Sequence, residues 1–352
     1  MRFRTHSSPH MIPAHDVGQL MRRVLYALVP GTLAMTWYFG LGVLVNVLLA
    51  VGFAVGFEAL MLLARRRPVI PVLGDYSAVV TGWLFALALP PLTPWWVTLV
   101  GVGFAIVVAK HLYGGLGYNP FNPAMVGYVV VLLSFPRELI LWVPPMGFDD
   151  LGFSIGEVTA AIFLGQLPRE LTWDMITTAT PLDHMKTELA QNRTISEIRE
   201  HPLFGSFSGH GWEWIANWFL LGGLFLLFMR VISWQIPVAV LGSLAVMAGA
   251  FWVIDPDAYA SPAFHVFSGA SILCAFFIAT DPVSASTTPR GRLIYGAGIG
   301  ILLYVIRTWG NYPDAVAFAV LLMNMAAPTI DHYTQPRAFG QNPPPPRRDN
   351  GP

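Results

Sequence analysis

Residues 41–63 read LGVLVNVLLAVGFAVGFEALMLL, and after Ala64 come Arg65, Arg66 and Arg67. The stretch exceeds the roughly 20 apolar residues a helix needs to cross a bilayer. It holds one ionisable side chain, Glu58, and ends in a cationic cluster suited to the cytoplasmic face of a membrane. Nine further apolar stretches surround it: 20–38, 76–90, 94–110 and 113–135 in the first half of the chain, and 213–230, 235–254, 264–280, 291–308 and 312–330 in the second. Composition agrees. The 352 residues are 55% hydrophobic and 11% charged, against roughly 25% charged in a soluble domain. Twenty Lys and Arg balance 20 Asp and Glu, so no basic field exists to attract nucleic acid. These figures exclude a soluble enzyme, a DNA-binding protein and a disordered chain. The single cysteine, Cys274, excludes a disulfide framework, a cysteine zinc site and a self-contained four-cysteine iron–sulfur cluster. The first 20 residues are polar and contain Arg2 and Arg4, which is not the pattern of a signal peptide.

Between the halves, 136–212 carries half of the acidic residues and no apolar run long enough to cross, and is expected to lie outside the bilayer. Segment 1–19 is expected on the cytoplasmic side, as is the tail 331–352, whose Asn342–Arg348 stretch reads as a polyproline arm. The charge distribution sets this orientation. With the N-terminus inside, the cytoplasmic segments hold Arg2, Arg4, Arg22, Arg23, Arg65, Arg66, Arg67, Lys110, Arg230, Arg290, Arg292, Arg337, Arg347 and Arg348, whereas the short external loops hold only Arg307.

Five spans per half is an odd number, so the halves enter the membrane in opposite senses. Their sequences correspond weakly but collinearly: Ser77–Pro91 (SAVVTGWLFALALPP) with Ser268–Pro282 (SGASILCAFFIATDP), and Gly117-Tyr118-Asn119-Pro120 with Gly310-Asn311-Tyr312-Pro313. The reading is an all-α polytopic membrane protein of about ten transmembrane helices, built as two inverted five-helix repeats, 20–135 and 213–330, with broken helices. The fifth span opens Gly114-Gly115-Leu116-Gly117-Tyr118-Asn119-Pro120-Phe121-Asn122-Pro123, which no continuous helix accommodates. Irregular backbone at that depth must be buried in protein or line a cavity. Asn119 and Asn122 are therefore candidates to present amide groups inside the bundle; the alternative is that they satisfy backbone groups freed by the prolines.

The external segment contains Asp174-Met175-Ile176-Thr177-Thr178-Ala179-Thr180-Pro181-Leu182-Asp183. Pro181 holds Thr180 extended, and the small Ala179 leaves its hydroxyl accessible. A threonine hydroxyl is a poor nucleophile unaided, so modification would need an outside enzyme; helix capping by Thr or Asp is the other reading.

This stretch resembles the flavin-attachment motif (Ser/Thr)-x-Ala-Thr of membrane-bound flavin subunits. Together with 114–128 and Thr280-Asp281-Pro282, it makes the chain similar, from the first span to the tenth, to the D-subunit family of the Rnf electron-transport complex and to the related B subunit of the sodium-translocating NADH:quinone reductase. Position 178 is Thr where many members have Gly. The resemblance implies FMN joined by a phosphoester to Thr180, with Thr177, Thr178 and Ala179 completing the motif, and installed by a flavin transferase. It also implies a second, noncovalent riboflavin in the bundle, for which Asn119 and Asn122 are the candidates. The implied function is an electron-carrying subunit of a redox-driven ion translocase linking ferredoxin, NAD and a Na⁺ or H⁺ gradient. Its implied setting is a bacterial inner membrane, with an external FMN-bearing subunit and membrane iron–sulfur subunits as partners.

Ionisable residues inside spans are costly and often functional. Glu58, Asp281 and Asp331 are candidates for an ion pathway, against an alternative of interfacial capping and pairing with arginine. Most tryptophans lie near span ends, as interfacial anchors do. His111 and His265 read as packing residues, and His184 as a solvated neighbour of Thr180, with tuning of the FMN as the alternative. A channel for a small neutral solute is the other function class that broken inverted repeats fit, but it leaves the external segment unexplained.

Overall fold

The computed structural model describes residues 17–147, 152–168, 171–312 and 314–336. Arg2 and Arg4, most of the N-terminal segment, Pro313 and the Asn342–Arg348 arm lie outside the described residues. All regular structure among the described residues is helical, apart from one isolated bridge between Phe204 and Gly209.

The described residues open with α1 (Val17–Phe39) and α2 (Gly42–Ala64), each of 23 residues. They are separated at Gly40, whose φ of 82° is open to glycine at no steric cost. A short α3 (Val69–Leu73) leads to α4 (Ser77–Ala86), only 10 residues long, which ends before Pro90 and Pro91. The fourth stretch starts as α5 (Trp95–Gly103) and continues over Phe104–His111 in wide turns, the Leu112 N–H donating five residues back to the Val107 carbonyl at 3.0 Å. The fifth is helical only in α6 (Pro123–Ser134); the run before it turns through Gly114, Gly115 and Gly117, all at positive φ.

The middle of the chain forms short helices: α7 (Pro136–Ile140), α8 (Ile155–Leu164), α9 (Trp173–Ile176), α10 (Pro181–Ala190) and α11 (Ile195–Ile198). Local sequence explains their limits. Ser154 with Glu157 and Thr194 with Glu197 form reciprocal capping boxes, and Gly165 ends α8 in the left-handed region. These helices do not stand apart from the bundle. Val158, Ala161, Ile162 and Ile176 are buried in the main core, while α10 and α11 share a smaller cluster with Phe264. The Met146 N–H donates to the Tyr38 carbonyl at 2.7 Å, and the Ile195 N–H to that of Asp257 at 2.9 Å.

The second half contains α12 (Trp212–Phe228), α13 (Gln235–Ile254), α14 (Pro262–Phe267), α15 (Ser271–Leu273), α16 (Pro289–Trp309) and α17 (Val316–Thr334). From α15 the chain again enters wide turns, Cys274–Ile278, closed by the Ala279 N–H to the Cys274 carbonyl at 2.8 Å. A helix falls in each of the ten apolar stretches, but among the described residues only α2 and α13 are long and apolar enough to cross a membrane by themselves. Both keep apolar side chains on the outside: Leu48, Leu60 and Leu63 on α2, and Val246, Val253 and Ile254 on α13 are exposed. Bare apolar surface of this extent suits lipid rather than water.

Small residues set the closest helix approaches, as in membrane packing. Gly222 of α12 lies against the Ala27 carbonyl of α1, and a Cβ there would collide with backbone. Gly222→Val is therefore expected to separate α1 from α12 and cost at least about 1–3 kcal/mol. It should appear as a lower melting midpoint and an aggregated fraction in detergent size-exclusion chromatography, with Gly242→Val, where open space surrounds the Cα, as the control.

Candidate functional site

Thr180 is the N-cap of α10, with extended backbone (φ −66°, ψ 157°). Its half-buried Oγ1 accepts from the Asp183 N–H at 3.3 Å, so the capping alternative is realised. Its own hydroxyl proton has no acceptor among the described residues. The preceding motif is pinned on both sides: the Thr177 hydroxyl donates to the Trp173 carbonyl at 2.8 Å, and the Thr178 N–H to the Trp142 carbonyl at 2.8 Å. Half-buried Ala179 carries no polar side chain to compete for the Thr180 oxygen. Trp142 packs with Trp212 and Phe39, their ring centroids 4.9–5.6 Å apart, giving the motif a rigid floor.

The electrostatics at this helix start favour an anion. The first-turn amides and the helix dipole point there. Burial pushes the Asp183 carboxyl above its ordinary range, against the opposing pull of Lys186 and His184, which reduces the competing negative charge. His184 is half-exposed, so it keeps part of the solvation expected of it. Its ring lies tilted against that of His201 at 4.6 Å, and burial followed by that neighbour lowers its pKa.

The asparagines form a separate site. Asn119 and Asn122 are both buried. The Asn119 side-chain nitrogen donates to the Phe121 carbonyl at 3.0 Å, and its oxygen has no hydrogen-bond partner among the described residues. Asn122 is used at both ends: its oxygen caps α6 by accepting from Met125 N–H at 3.3 Å, and its nitrogen donates to the Ile278 carbonyl at 3.2 Å, in the wide turns of the other half. In the amide orientation that satisfies both of its ends, Asn324 of α17 accepts from the Asn122 N–H at 2.8 Å and donates to the Tyr295 hydroxyl at 2.7 Å. Backbone satisfaction thus engages both the oxygen and the nitrogen of the Asn122 amide and the nitrogen alone of the Asn119 amide.

Of the carboxylates, Glu58 pairs with Lys110 at 2.8 Å and lies 3.2 Å from His111, rather than with the nearby arginines. Lys110, which the sequence placed among cytoplasmic loop charges, is a buried residue that also donates to the Ser77 hydroxyl at 2.7 Å. Asp281 accepts from Ser284 at 2.7 Å. Asp331 gathers the Ser286 hydroxyl and the Thr287 and Thr288 amides. These two hold the 282–288 loop. No group of three or more His, Cys, Asp or Glu suited to a metal ion occurs among the described residues.

The second half repeats the buried-cation arrangement. Arg307, near the end of α16, donates to the carbonyls of His265 (2.8 Å) and Ser268 (3.2 Å) and approaches Asp314 at 3.4 Å. Ser77 and Ser268 are the residues paired by the sequence correspondence. In each half, therefore, a cation near the end of the fourth apolar stretch, with one carboxylate partner, clamps the start of the third. Sequence reasoning missed both clamps. A signal was available: Arg307 was the lone positive charge on the external short loops, and Lys110 ended an apolar stretch.

Comparison with known proteins completes the picture. Residues 4–340 match the family described as NQR2, RnfD, RnfE. The chain is 49% identical over 358 residues to the D subunit of the ion-translocating oxidoreductase complex of Vibrio cholerae serotype O1 (strain O395), covering 97% of this chain and 100% of the relative. It is 50% identical over 347 residues to the protein of that name from Aeromonas hydrophila, covering 96% and 99%. The Aliivibrio salmonicida protein of the same name is 50% identical over 358 residues, covering 97% and 99%.

Proposed function

This chain belongs to the NQR2, RnfD, RnfE family, and from that premise we propose that it is the D-type membrane subunit of an ion-translocating oxidoreductase complex and carries flavin. FMN is joined to Thr180 and riboflavin is held in the bundle beside Asn119 and Asn122. Residues 20–135 and 213–330 are two inverted five-helix repeats in a bacterial inner membrane, with both termini cytoplasmic and 136–212 outside. The paired cation clamps at Lys110 and Arg307 support the repeat.

The observation that carries the flavin reading is Thr180 itself, a helix-capping hydroxyl with an uncommitted proton, inside the attachment motif of a family matched over the whole chain. In attachment, the Thr180 oxygen loses its proton and forms a P–O bond to the phosphate of an activated flavin nucleotide supplied by a flavin transferase, and the activating group leaves phosphorus. The first-turn amides of α10 would stabilise the single negative charge that a phosphodiester on Thr180 would carry. When bound, flavin supplies one- and two-electron redox chemistry. The chain's own residues anchor, orient and shield it. Asn119, with a free amide oxygen, is the better donor–acceptor for riboflavin, while Asn122 fixes the interface between the halves. Electrons would have to enter and leave through partner subunits, an external flavin-bearing one and membrane iron–sulfur ones, because this sequence has neither a dinucleotide fingerprint nor an iron–sulfur motif.

The test is intact mass of the purified subunit followed by peptide mapping. An addition equal to FMN less water, on the peptide containing Thr180, is expected. An unmodified peptide from protein made with its flavin transferase would refute the assignment.

A further inference from the structure

A cavity of about 590 Å³ lies where α12 ends, α13 begins and the 280–288 loop leads into α16. Part of its lining is apolar: Leu227, Val231, Ile232 and Ile236, with the exposed Trp234 beside them. The rest is polar and cationic. Arg292 of α16 donates from Nε to the Ser286 carbonyl at 3.4 Å and from one terminal nitrogen to the Ser233 hydroxyl at 3.1 Å. Among the described residues, its other terminal nitrogen has no acceptor, and neither has the Ser233 hydroxyl proton. Arg230 closes α12 in the left-handed region (φ 54°), which glycine adopts at less cost. Its exposed side chain lines the cavity with no hydrogen bond or ion pair among the described residues. The other hydroxyls are committed, Thr280 to the Phe276 carbonyl and Ser286 and Thr287 to Asp331. Asp281, which accepts from Ser284 at 2.7 Å, is the one carboxylate in the lining, so the cavity carries a net single positive charge.

Three available donors on a net positive lining call for an anion with several oxygens, and a guanidinium fork matches phosphate. The apolar part calls for a chain attached to that anion. Back along α12, Phe228, Leu224, Leu221 and Trp218 are exposed at intervals of three or four residues, on the face away from the buried Gly222, Gly223 and Leu226. That stripe is about 15 Å long at the helical rise, half of a hydrocarbon core of about 30 Å. We infer that the cavity holds the phosphodiester of an anionic phospholipid between Arg230, Arg292 and Ser233, with an acyl chain laid along the α12 stripe. The net charge of the lining balances the single negative charge of a phosphatidylglycerol-type headgroup. The ammonium of a zwitterionic headgroup would bring a third cation beside the two arginines. Trp234 stands at headgroup level, where indole rings settle, and basic pockets between spans on the cytoplasmic side suit anionic headgroups. The choice of the cytoplasmic leaflet rests on the orientation proposed above; the binding site itself does not.

The test is native mass spectrometry of the full-length subunit in detergent, titrated with phosphatidylglycerol, phosphatidylethanolamine or inorganic phosphate. One phosphatidylglycerol should be retained in preference to phosphatidylethanolamine, and it should raise the melting midpoint. Arg230→Gln removes a side chain with no partner in the chain, so the lipid-free midpoint should not change. Phosphatidylglycerol should nevertheless bind about tenfold more weakly, the scale of one charge-assisted hydrogen bond. Arg66→Gln with Arg67→Gln, exposed arginines outside the cavity, should alter neither quantity. If Arg230→Gln binds phosphatidylglycerol as wild type does, or the Arg66 and Arg67 double variant loses as much, the lipid only adsorbs to the surface and the inference falls. Equal retention of phosphatidylethanolamine, or an equal stabilisation by inorganic phosphate, overturns it as well. None of these readouts needs bound flavin, so their failure leaves the attachment at Thr180 standing. Labelling of Arg230→Cys from outside intact cells would reverse the leaflet and the proposed orientation while leaving the binding site in place.

Discussion

Thr180→Val is expected to abolish covalent flavin completely, with no fluorescence in the denatured band and no added mass, while the subunit still inserts. The isosteric methyl removes the only atom able to form the ester. The structural cost is that of one lost cap, since Asp183 N–H loses its acceptor; such changes cost about 1 kcal/mol, and Pro181, Leu182 and Met185 still bury the helix. Thr180→Ser retains an oxygen and should keep some attachment. Thr177→Ala loses only the bond to the Trp173 carbonyl, and Thr178→Ala only an exchangeable side chain, because Thr178 is held through its backbone. Both should remain fluorescent. A fluorescent Thr180→Val band would move the ester to another residue.

The second large effect concerns folding. Lys110→Met leaves Glu58 buried at 2% exposure without its ammonium partner and removes a donor from Ser77. Removing one member of a buried ion pair costs about 3–5 kcal/mol, whereas replacing both with apolar groups is often close to neutral. The single variant is therefore expected to lose most monodisperse protein, and Glu58→Leu with Lys110→Met to recover much of it. The readouts are melting midpoint and size-exclusion profile in detergent. Equal yields of the single and double variants would show that the pair contributes no coupling. If Glu58 instead served an ion path, the well-folded double variant would lose ion translocation in the assembled complex.

The sequence carried the fold class because burial in lipid leaves a one-dimensional record. Residues 41–63 and 235–254 are long, apolar and nearly uncharged, and the structure makes them α2 and α13 with the same centres. The Gly/Pro run at 114–123 likewise recorded its own failure to be helical. The Thr180 cap was legible for a similar local reason, since capping depends on residues within a few positions of it.

Other features were beyond reach because they join distant parts of the chain. Lys110 counted as a loop charge until Glu58 and Ser77, on other elements, proved to enclose it. Asn122 looked free to hold a ligand, yet it spends its nitrogen on Ile278, 156 residues away. His265 Nδ1 and Arg307 Nε, buried with no partner among the described residues, are invisible in any window of sequence. By itself, then, the sequence determined which segments avoid water and where the backbone breaks, because hydropathy and φ preference are properties of single residues and their near neighbours. Only the tertiary structure decided which buried charges are paired, which amides are spent and where a cavity remains, because desolvation and hydrogen bonding are settled between groups that meet only after the halves have packed.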